Sequence, residues 1–587
     1  MTIATPRDNP GRAAPIPAIG RDRMTAAPSL HSAHMAAVRA AQDGQTEVAA
    51  TLFASALADA QADARFLADY AAFASTIGQT ELASSLYERA IAATPGDSPP
   101  LRLRHALATM DAGKVAAAIG LLEGLTRDQP RSPMAWQALG AALHAADRAA
   151  DALAAFNHVV ALAPRDPRGL LSCARMSEEL GLPATAAFTI ALAAAPDSGP
   201  ARLGLAAAQA GAGQSDLAEA TLQTGLARAP DWAEGWAALV SLVYRWQGHG
   251  ASLKAAEVAL AAAPRDANVA TTMLRSIAAV GANDAVLGML HAIRAALGDT
   301  LPLVLIEAQA ASAIGDIARA DAAFARLDAI ADPVVLLARL RHSLRTCRPD
   351  DAIAIGQPMM AGPAARFATP YMGTAWRMLS DPRHAWLEGD PQLVGTYDLG
   401  IDAPDLVVLA AELRTLHTAR HAPFEQSMRG GTQTDGVLLS RQSPAIRRLR
   451  VAIECAVRAH IDQLPALDRA HPTLSVPRSE FRFAGSWSVR LSDGGHHVNH
   501  VHSEGWLSSA CYIALPDAMT DGRADDEAGW LTLGQPPVDL GLDLPPVRTV
   551  QPAVGQVTLF PSTMWHGTRP APAGERLTVA FDVQPLT

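Results

Sequence analysis

Prolines close a series of alanine-rich segments at almost constant intervals along the first half of the chain. The intervals are 32 to 35 residues, and the prolines are Pro95, Pro130, Pro164, Pro196, Pro230 and Pro264. A repeat of this length is typical of solenoids, in which one unit cannot bury its own apolar face and must stack on its neighbours. Alanine favours helix and proline ends it. We therefore predict a right-handed, all-α solenoid of about eight or nine two-helix units over residues 29–345.

The unit at residues 132–164 shows the pattern most clearly. Its fixed positions hold apolar and small residues, namely Trp136, Leu139, Gly140, Ala152, Phe156 and Pro164. This unit resembles the tetratricopeptide repeat, with Asp147 at the turn where that family usually has glycine. The resemblance implies a concave surface that holds a peptide or a partner protein. A dimerisation arm or a spacer without a ligand is the alternative.

Composition and charge limit the possible partners. The chain has 587 residues, a net charge of −10 and no concentrated basic segment, so neither nucleic acid nor a membrane surface is an expected partner. Residues 1–28 lack the apolar core of a secretory signal, and we expect a disordered tail there. The four cysteines are far apart and form no CxxC pair, as expected for free thiols in the cytoplasm.

The alanine-rich pattern fades near residue 345, and the chain changes character. Residues 346–384 contain several prolines and are interpreted as a connector. Beyond it, leucines on one helical face predict a helix over residues 403–421. A second helix is predicted over residues 443–464, where Ser443 is suited to cap the first turn.

A glycine-containing segment at residues 426–436 separates these two helices. The neighbouring Gly430 and Gly431 allow the backbone to take positive φ and to approach other groups closely. The segment is either an ordinary loop or a loop that covers a site. In the second case Arg429 and Gln433 would face a ligand.

From residue 479 onward the pattern changes to β-strands. Alternating apolar and polar residues, separated by glycine, proline and aspartate, occur at 479–491, 508–515, 529–534, 555–560 and 576–583. Together with the two helices before them, these strands predict a β-sandwich or open barrel flanked by helices. The fold class of this half is therefore α+β.

Four histidines stand within seven residues between two of the predicted strands, at His496, His497, His500 and His502. Residues i and i+2 of a strand project to the same face, so the last two can direct their imidazoles into one pocket. Such a pair supplies two ligands of a facial metal site, and the third ligand must come from a distant strand. His566, which follows a predicted strand, is the candidate for that third ligand.

Several blocks in fixed order make the pattern around these histidines more specific. They read HVHSEGWLSSACYIALP, GWLTLG, LFPSTMWHGT and GERLTVAFD. Their order resembles the 2-oxoglutarate/iron(II) oxygenases of the prolyl-hydroxylase-like superfamily. The resemblance implies a double-stranded β-helix, or jelly roll, over residues 385–587, with its catalytic core at 479–587. It also implies iron(II), 2-oxoglutarate and O2.

The resemblance assigns roles to individual residues. His500 and His566 match the two ligand histidines of that superfamily. Arg576 matches the basic residue that binds the distal carboxylate of 2-oxoglutarate, a role that suits the bidentate guanidinium. Thr578 points the same way as Arg576 along the strand and could add a hydroxyl contact.

The middle ligand departs from the usual pattern of this superfamily. A carboxylate is common two residues after the first histidine, but here that residue is His502. Three interpretations stay open. The site uses His500, His502 and His566; or His502 and Glu504 form the paired element; or only two histidines bind and water takes the third position.

Four further residues lie on or next to the predicted strands near the histidines. They are Trp487, Arg490, Asn499 and Tyr512. Asn499 could orient a metal ligand through a hydrogen bond. Each of the other three is either a pocket residue or a structural one.

Together these features predict an iron(II)- and 2-oxoglutarate-dependent dioxygenase that hydroxylates a side chain of a peptide or protein recruited by the solenoid. One alternative is a metal-stabilised scaffold without turnover. Another is a three-histidine dioxygenase that is independent of 2-oxoglutarate. Arg576 speaks against both, because neither needs an anchor for the carboxylate of a co-substrate.

Overall fold

The structure is a computed structural model that describes residues 30–58, 63–421, 426–520 and 527–586. The tail predicted at residues 1–28 lies outside these ranges. The chain divides into two compact units, the first ending at Ala112 and the second beginning at Gly113. None of the helices in the described ranges combines the length and the apolar character that a membrane span requires.

Helices make up the described part of the first unit. They are α1 (Leu30–Gln42), α2 (Thr46–Ala56), α3 (Ala64–Thr76), α4 (Thr80–Ala93) and α5 (Pro99–Asp111). Asp63 caps α3, because its carboxylate accepts the backbone N–H groups of Arg65 and Phe66 at 3.0 and 2.9 Å. The core of this unit is partly aromatic, and the rings of Phe53 and Tyr70 stack with their centroids 4.9 Å apart.

The second unit continues the repeats. Its first helices are α6 (Val115–Asp128), α7 (Pro133–Ala145), α8 (Ala149–Leu162), α9 (Pro167–Glu179), α10 (Thr185–Ala194), α11 (Gly199–Gly211), α12 (Ser215–Leu226), α13 (Ala233–Gln247), α14 (His249–Ala262), α15 (Ala267–Ala279), α16 (Asn283–Leu297), α17 (Leu301–Ile314), α18 (Ile317–Ala325), α19 (Pro333–Arg345) and α20 (Pro349–Gly356). Neighbouring helices pack as hairpins, such as α7 with α8 and α17 with α18. The first helices of successive hairpins also contact one another, which forms a continuous row from α13 through α15 and α17 to α19.

The prolines that define the repeat period lie in the connections between successive hairpins. Pro164 follows the end of α8, as the sequence predicts. In two units a tryptophan of the first helix donates its indole N–H to the carbonyl of the preceding closing proline. Trp136 bonds to Pro130 at 3.0 Å and Trp236 bonds to Pro230 at 2.9 Å. The predicted tetratricopeptide-type solenoid is thereby confirmed.

Helices and strands alternate in the rest of the second unit. Its helices are α21 (Ala365–Met378), α22 (Pro382–Glu388), α23 (Ala403–Leu416), α24 (Pro444–Gln463) and α25 (Asp517–Thr520), with 3-10 turns at Gln357–Ala361, Pro391–Leu393, Leu438–Ser440 and Val538–Leu540. Within the predicted connector the chain is largely helical, in α20 and α21. The two helices predicted beyond it are α23, which ends at Leu416 and not at residue 421 as predicted, and α24. Ser443 caps α24, where its hydroxyl accepts the N–H of Ile446 at 3.2 Å.

The strands form two antiparallel sheets. They are β1 (Gly395–Asp398), β2 (Met428–Gln433), β3 (Phe481–His497), β4 (Leu507–Ala514), β5 (Leu531–Leu533), β6 (Arg548–Val550), β7 (Gln556–Pro561), β8 (His566–Thr568) and β9 (Arg576–Pro585). One sheet has the order β1-β7-β4-β9-β3-β2 and the other β6-β5-β8. Both are antiparallel throughout. The predicted solenoid followed by a jelly-roll domain is confirmed.

Strand alternation gives the larger sheet two different faces. On β9, Leu577, Val579, Phe581 and Val583 are buried in a core that also contains the apolar residues of α23 and α24. The intervening positions of β9 point to the opposite face. That opposite face carries Arg576 and the other polar side chains of the candidate site.

The glycine-containing segment is a strand, β2, and not the ordinary loop that its composition favours. It pairs with β3, and the pairing is interrupted by a bulge between Arg429 and Gly431. Gly430 takes a φ of +73° in this bulge. A Cβ atom at Gly431 would lie 2.3 Å from the carbonyl oxygen of Arg490, so only glycine fits there. Both glycines therefore serve strand pairing.

The sheet-bearing part of the second unit packs against the repeats of the same unit through charged contacts. Arg245 of α13 forms an ion pair with Asp435 at 2.8 Å. Arg450 of α24 pairs with Asp147 of the repeats. Asp147 adopts the left-handed conformation that glycine usually takes at this turn, with a φ of 61°. The residue that departs from the repeat pattern thus supplies a contact between the repeats and α24.

This contact region makes stability depend on pH. Burial raises the pKa of Glu178 from 4.5 to about 7; Asp435 adds to the shift, and Arg441 and Arg175 oppose it. Below pH 4.5 the carboxyl is protonated in both the folded and the unfolded chain, so it has no effect. Between pH 4.5 and 7 the unfolded chain ionises this carboxyl whereas the folded chain keeps it protonated, so stability falls as the pH rises and reaches its lower level near pH 7. The resulting loss of stability is on the order of 2 kcal/mol.

Glu178→Gln removes this ionisation. We expect the variant to be more stable than the wild type at pH 8 and equal to it at pH 4, measured as the midpoint of urea unfolding. Glu257→Gln, at an exposed position of α14, is the matched control. Equal midpoints for Glu178→Gln and the wild type at pH 8 would contradict the raised pKa.

Candidate metal centre

Backbone pairing brings the two distant histidine segments together. Strand β3 ends at His497, and the chain then runs beside β8, which begins at His566. His500 and His566 exchange two backbone hydrogen bonds, each 2.9 Å long. The N–H of His502 donates to the carbonyl of Ser562 at 3.0 Å. Backbone hydrogen bonds therefore hold together two segments that are far apart in sequence.

The side chains of His500, His502 and His566 converge on one point. Their ring centroids lie 4.2 to 5.0 Å apart. The nitrogen atoms that could bind a metal all lie within 4.8 Å of one another. His566 is buried and the other two are half-buried. This is the arrangement that a metal ion with three imidazole ligands requires.

Hydrogen bonds at Nδ1 determine which nitrogen of each ring is unprotonated. In all three rings Nδ1 donates to an oxygen: His500 to the carbonyl of Val498 at 2.9 Å, His566 to the carbonyl of Met564 at 3.0 Å, and His502 to the carboxylate of Asp582 at 2.8 Å. Proton donation from Nδ1 leaves Nε2 with a lone pair. The three rings thus present three unprotonated Nε2 atoms, which fits iron(II) or another metal that accepts imidazole.

Burial also favours the neutral rings. It holds the pKa of His500 and His566 well below the ordinary value, and the neighbouring histidines lower both further. Burial, with Arg576 nearby, lowers the pKa of His497 to about 3. A metal ligand must be neutral imidazole, so the environment of these rings prepares them for ligation near pH 7.

Glu504, the alternative middle ligand, lies away from the cluster. Its side chain is exposed and forms an ion pair with Arg366 at 2.9 Å. The residue that stands with His500 and His566 is His502. The carboxylate that supports His502 is instead Asp582, which also accepts the hydroxyl of Ser508 at 2.6 Å.

A pocket beside the cluster contains Arg576 and Thr578 on the inner face of β9. Arg576 is only 2% exposed. One nitrogen of its guanidinium donates to the carbonyl of Gly529 at 2.9 Å, and its Nε has no hydrogen-bond partner among the described residues. Within those residues it also has no carboxylate partner. A buried guanidinium with unused donors fits the carboxylate of a small co-substrate.

The remaining predicted site residues have different positions relative to this pocket. Trp487 and Gln433 line the pocket. Tyr512 is fully buried behind it, with its ring 5.5 Å from the guanidinium of Arg576. Asn499 donates to the carbonyl of Pro536 at 3.3 Å and accepts the hydroxyl of Thr532 at 3.2 Å, so it supports the chain next to His500.

Two predicted residues do not reach this pocket. Arg490 points to the other face of β3, where it pairs with Glu575 at 2.7 Å. Arg429 lines an outer groove that shares His500 and His502 with this pocket, and it donates to the carbonyls of Gln426 and Met428 at 3.0 and 2.9 Å. Strand alternation explains the first case, because Trp487 and Arg490 are three residues apart and therefore face opposite sides.

Two residues of the site, Asp582 and Ser427, are not among those predicted from the sequence. Asp582 orients His502, and its position was detectable, since it continues the series Arg576, Thr578 and Ala580 along one face of β9. Ser427 was not detectable in this way. Its hydroxyl lies 3.2 Å from Nε2 of His500 and 3.0 Å from Nδ1 of His497.

Comparison with known families agrees with this geometry. Residues 485–582 match the family described as "Putative 2OG-Fe(II) oxygenase". Residues 3–187 and 184–242 match two families of tetratricopeptide repeats. The chain therefore combines tetratricopeptide repeats with a domain of that oxygenase family. The family implies iron(II) and 2-oxoglutarate, for which the three Nε2 atoms and Arg576 are suited.

The other two comparisons, with curated proteins and with solved structures, give no further information on function. The curated proteins contain no match to this chain. Among solved structures, a tetratricopeptide repeat protein from Parabacteroides merdae is 14% identical, with 46% of this chain and 93% of that one covered and a TM-score of 0.30. MamA from Desulfovibrio magneticus is 15% identical, with 30% and 98% covered and a TM-score of 0.27. Scores of this size do not establish a common fold.

Proposed function

We propose that this protein is an iron(II)- and 2-oxoglutarate-dependent oxygenase that hydroxylates a side chain of a peptide or protein held by the repeats. The observation that supports this most strongly is the set of three Nε2 atoms that hydrogen bonds at Nδ1 leave unprotonated. His500, His502 and His566 would hold iron(II). The bound metal would couple the reduction of O2 to the decarboxylation of 2-oxoglutarate.

The residues around the metal have separate tasks in this proposal. Asp582 holds the ring of His502 in one orientation and one tautomer. Arg576 binds the distal carboxylate of 2-oxoglutarate, and Thr578 adds a hydroxyl beside it. Trp487 and Phe560 line the pocket with apolar surface, which keeps water from the reacting groups.

The domain boundaries and the location belong to the same proposal. We assign residues 29–345 to the repeats, 346–384 to the connector and 385–587 to the oxygenase domain. All four cysteines are free, which supports a cytoplasmic location.

One experiment tests the function. The full chain is purified without oxygen and mixed with iron(II) and 2-oxoglutarate, and its absorption spectrum is recorded before and after air is admitted. We expect a metal-to-ligand charge-transfer band, followed by succinate. Bound iron with neither band nor succinate would overturn the proposal and favour a scaffold. Oxidation of a substrate without a need for 2-oxoglutarate would favour the three-histidine dioxygenase.

A further inference from the structure

A groove of about 880 Å³ lies in the second unit between the repeats and the histidine cluster. His500 and His502 form part of its wall. The opposite wall belongs to three helices of the repeats, α15, α17 and α19, which contact one another in a row. The groove therefore leads along the inner helices of the repeats to the candidate metal centre.

Small and polar residues shape the wall formed by the repeats. The short side chains of Ala278 and Ala338 leave space in the groove, and Gln309 has an exposed side-chain amide. Arg341 and Arg345, one helical turn apart on α19, both face the groove. The wall thus combines open space with hydrogen-bonding groups, as a site for an extended chain requires.

The charge of the groove is opposite to that of the whole protein. The described residues that line it include four arginines, Arg275, Arg341, Arg345 and Arg429, and one acid, Asp539. The chain as a whole carries −10. A local excess of positive charge on an acidic protein attracts anionic ligands to one place.

The one acid is already used by two of the arginines. Arg341 and Arg345 share the carboxylate of Asp539 at 2.9 and 3.0 Å. Arg275 is exposed and has no ion pair or hydrogen bond among the described residues, and the hydrogen bonds of Arg429 go to backbone carbonyls. Arg275 on α15 and Arg429 on β2 therefore have no carboxylate partner among the described residues, and both line the groove.

We propose that this groove binds an acidic polypeptide segment and presents one of its side chains to the histidine cluster. The proposal names the substrate class of the oxygenase and rests on the function proposed above. Carboxylates of aspartate and glutamate match the planar donors of arginine. Apolar wall residues such as Leu305 and Val334 suit the side chains of a polypeptide. Nucleic acid is disfavoured by the net charge of −10.

Fluorescence anisotropy on the full chain tests this proposal without iron or 2-oxoglutarate. The probes are a fluorescein-labelled peptide of alternating glutamate and alanine, its lysine counterpart and single-stranded DNA. We expect the glutamate peptide to bind, the other two not to bind, and the affinity to fall as salt increases. Arg275→Glu should weaken binding about tenfold.

Arg265→Glu is the matched control, since Arg265 is an exposed arginine of the repeats outside the groove. It should leave the affinity unchanged. Equal binding of the two peptides, a preference for DNA, or full binding by a folded Arg275→Glu variant would overturn the proposal. Succinate formation is scored separately. If succinate forms but the glutamate peptide does not bind, only the proposal of an acidic substrate is overturned. If the peptide binds but no succinate forms, only the proposed oxygenase activity is overturned.

Discussion

Replacing His502 by alanine is expected to lower the affinity for iron(II) more than about 100-fold, because losing a ligand should cost more than the 10–100-fold that losing an outer partner costs. The expectation follows from the ring geometry, in which His502 stands with His500 and His566 and its Nε2 is free. Iron(II) binding can be measured by anaerobic titration, and succinate formation should fall with it.

The variant Glu504→Ala is the decisive control for this result. Glu504 is exposed and paired with Arg366, so its removal should leave iron affinity and succinate formation unchanged. The affinity of Asp582→Ala for iron(II) should lie between those of the other two variants. We expect it to be about 10–100-fold lower than that of the wild type, because Asp582 only orients His502. Loss of iron in Glu504→Ala with retention in His502→Ala would show that the carboxylate is the middle ligand.

Replacing Arg576 by methionine is expected to have opposite effects on function and on stability. The affinity for 2-oxoglutarate should fall about 10- to 200-fold, since a charge-assisted hydrogen bond to the carboxylate contributes about 1.5–3 kcal/mol. Without 2-oxoglutarate, the variant should be more stable than the wild type by on the order of 1 kcal/mol. The cause is that Arg576 is 2% exposed and has no carboxylate partner among the described residues.

Thermal unfolding with and without 2-oxoglutarate, in the presence of iron(II) and absence of oxygen, measures both effects. The co-substrate should raise the Tm of the wild type but not that of Arg576→Met. Arg490→Met is the matched control, because Arg490 lies on the neighbouring strand and faces away from the pocket. If 2-oxoglutarate raised the Tm of Arg576→Met as much as that of the wild type, the proposed role of Arg576 in binding the co-substrate would be wrong.

Much of the fold was predictable because it depends on local signals. The closing prolines and the alanine-rich segments between them predicted the hairpins of the repeats. Alternation located β3, β4, β5, β7 and β9, and Ser443 marked the start of α24. Short strands were not predictable in this way. Strand β2 reads as a loop because of Gly430 and Gly431, and only its pairing with β3 makes it a strand.

The candidate site shows the same division. The sequence predicts that His500 and His566 act together, and the backbone bonds between them agree with that expectation. The structure groups His502 with them, a choice that spacing left open. Asp582 could have been found by counting along β9 from Arg576, whereas Ser427 depends on distant elements that meet only in the folded chain. Arg490, by contrast, could have been excluded from the sequence by counting strand positions from Trp487.

The contacts between the repeats and the sheet-bearing part limit how this protein can be truncated or fused to other repeats. Residues 385–587 look separable in sequence, yet Arg450 relies on Asp147, and the N–H of Gln442 donates to the carbonyl of Leu180 at 3.3 Å. Cutting the chain before residue 385 would strip these partners away. Exchanging the repeats for those of another protein would require the same matching surface. A change on one side of this packing surface would therefore need a matching change on the other side.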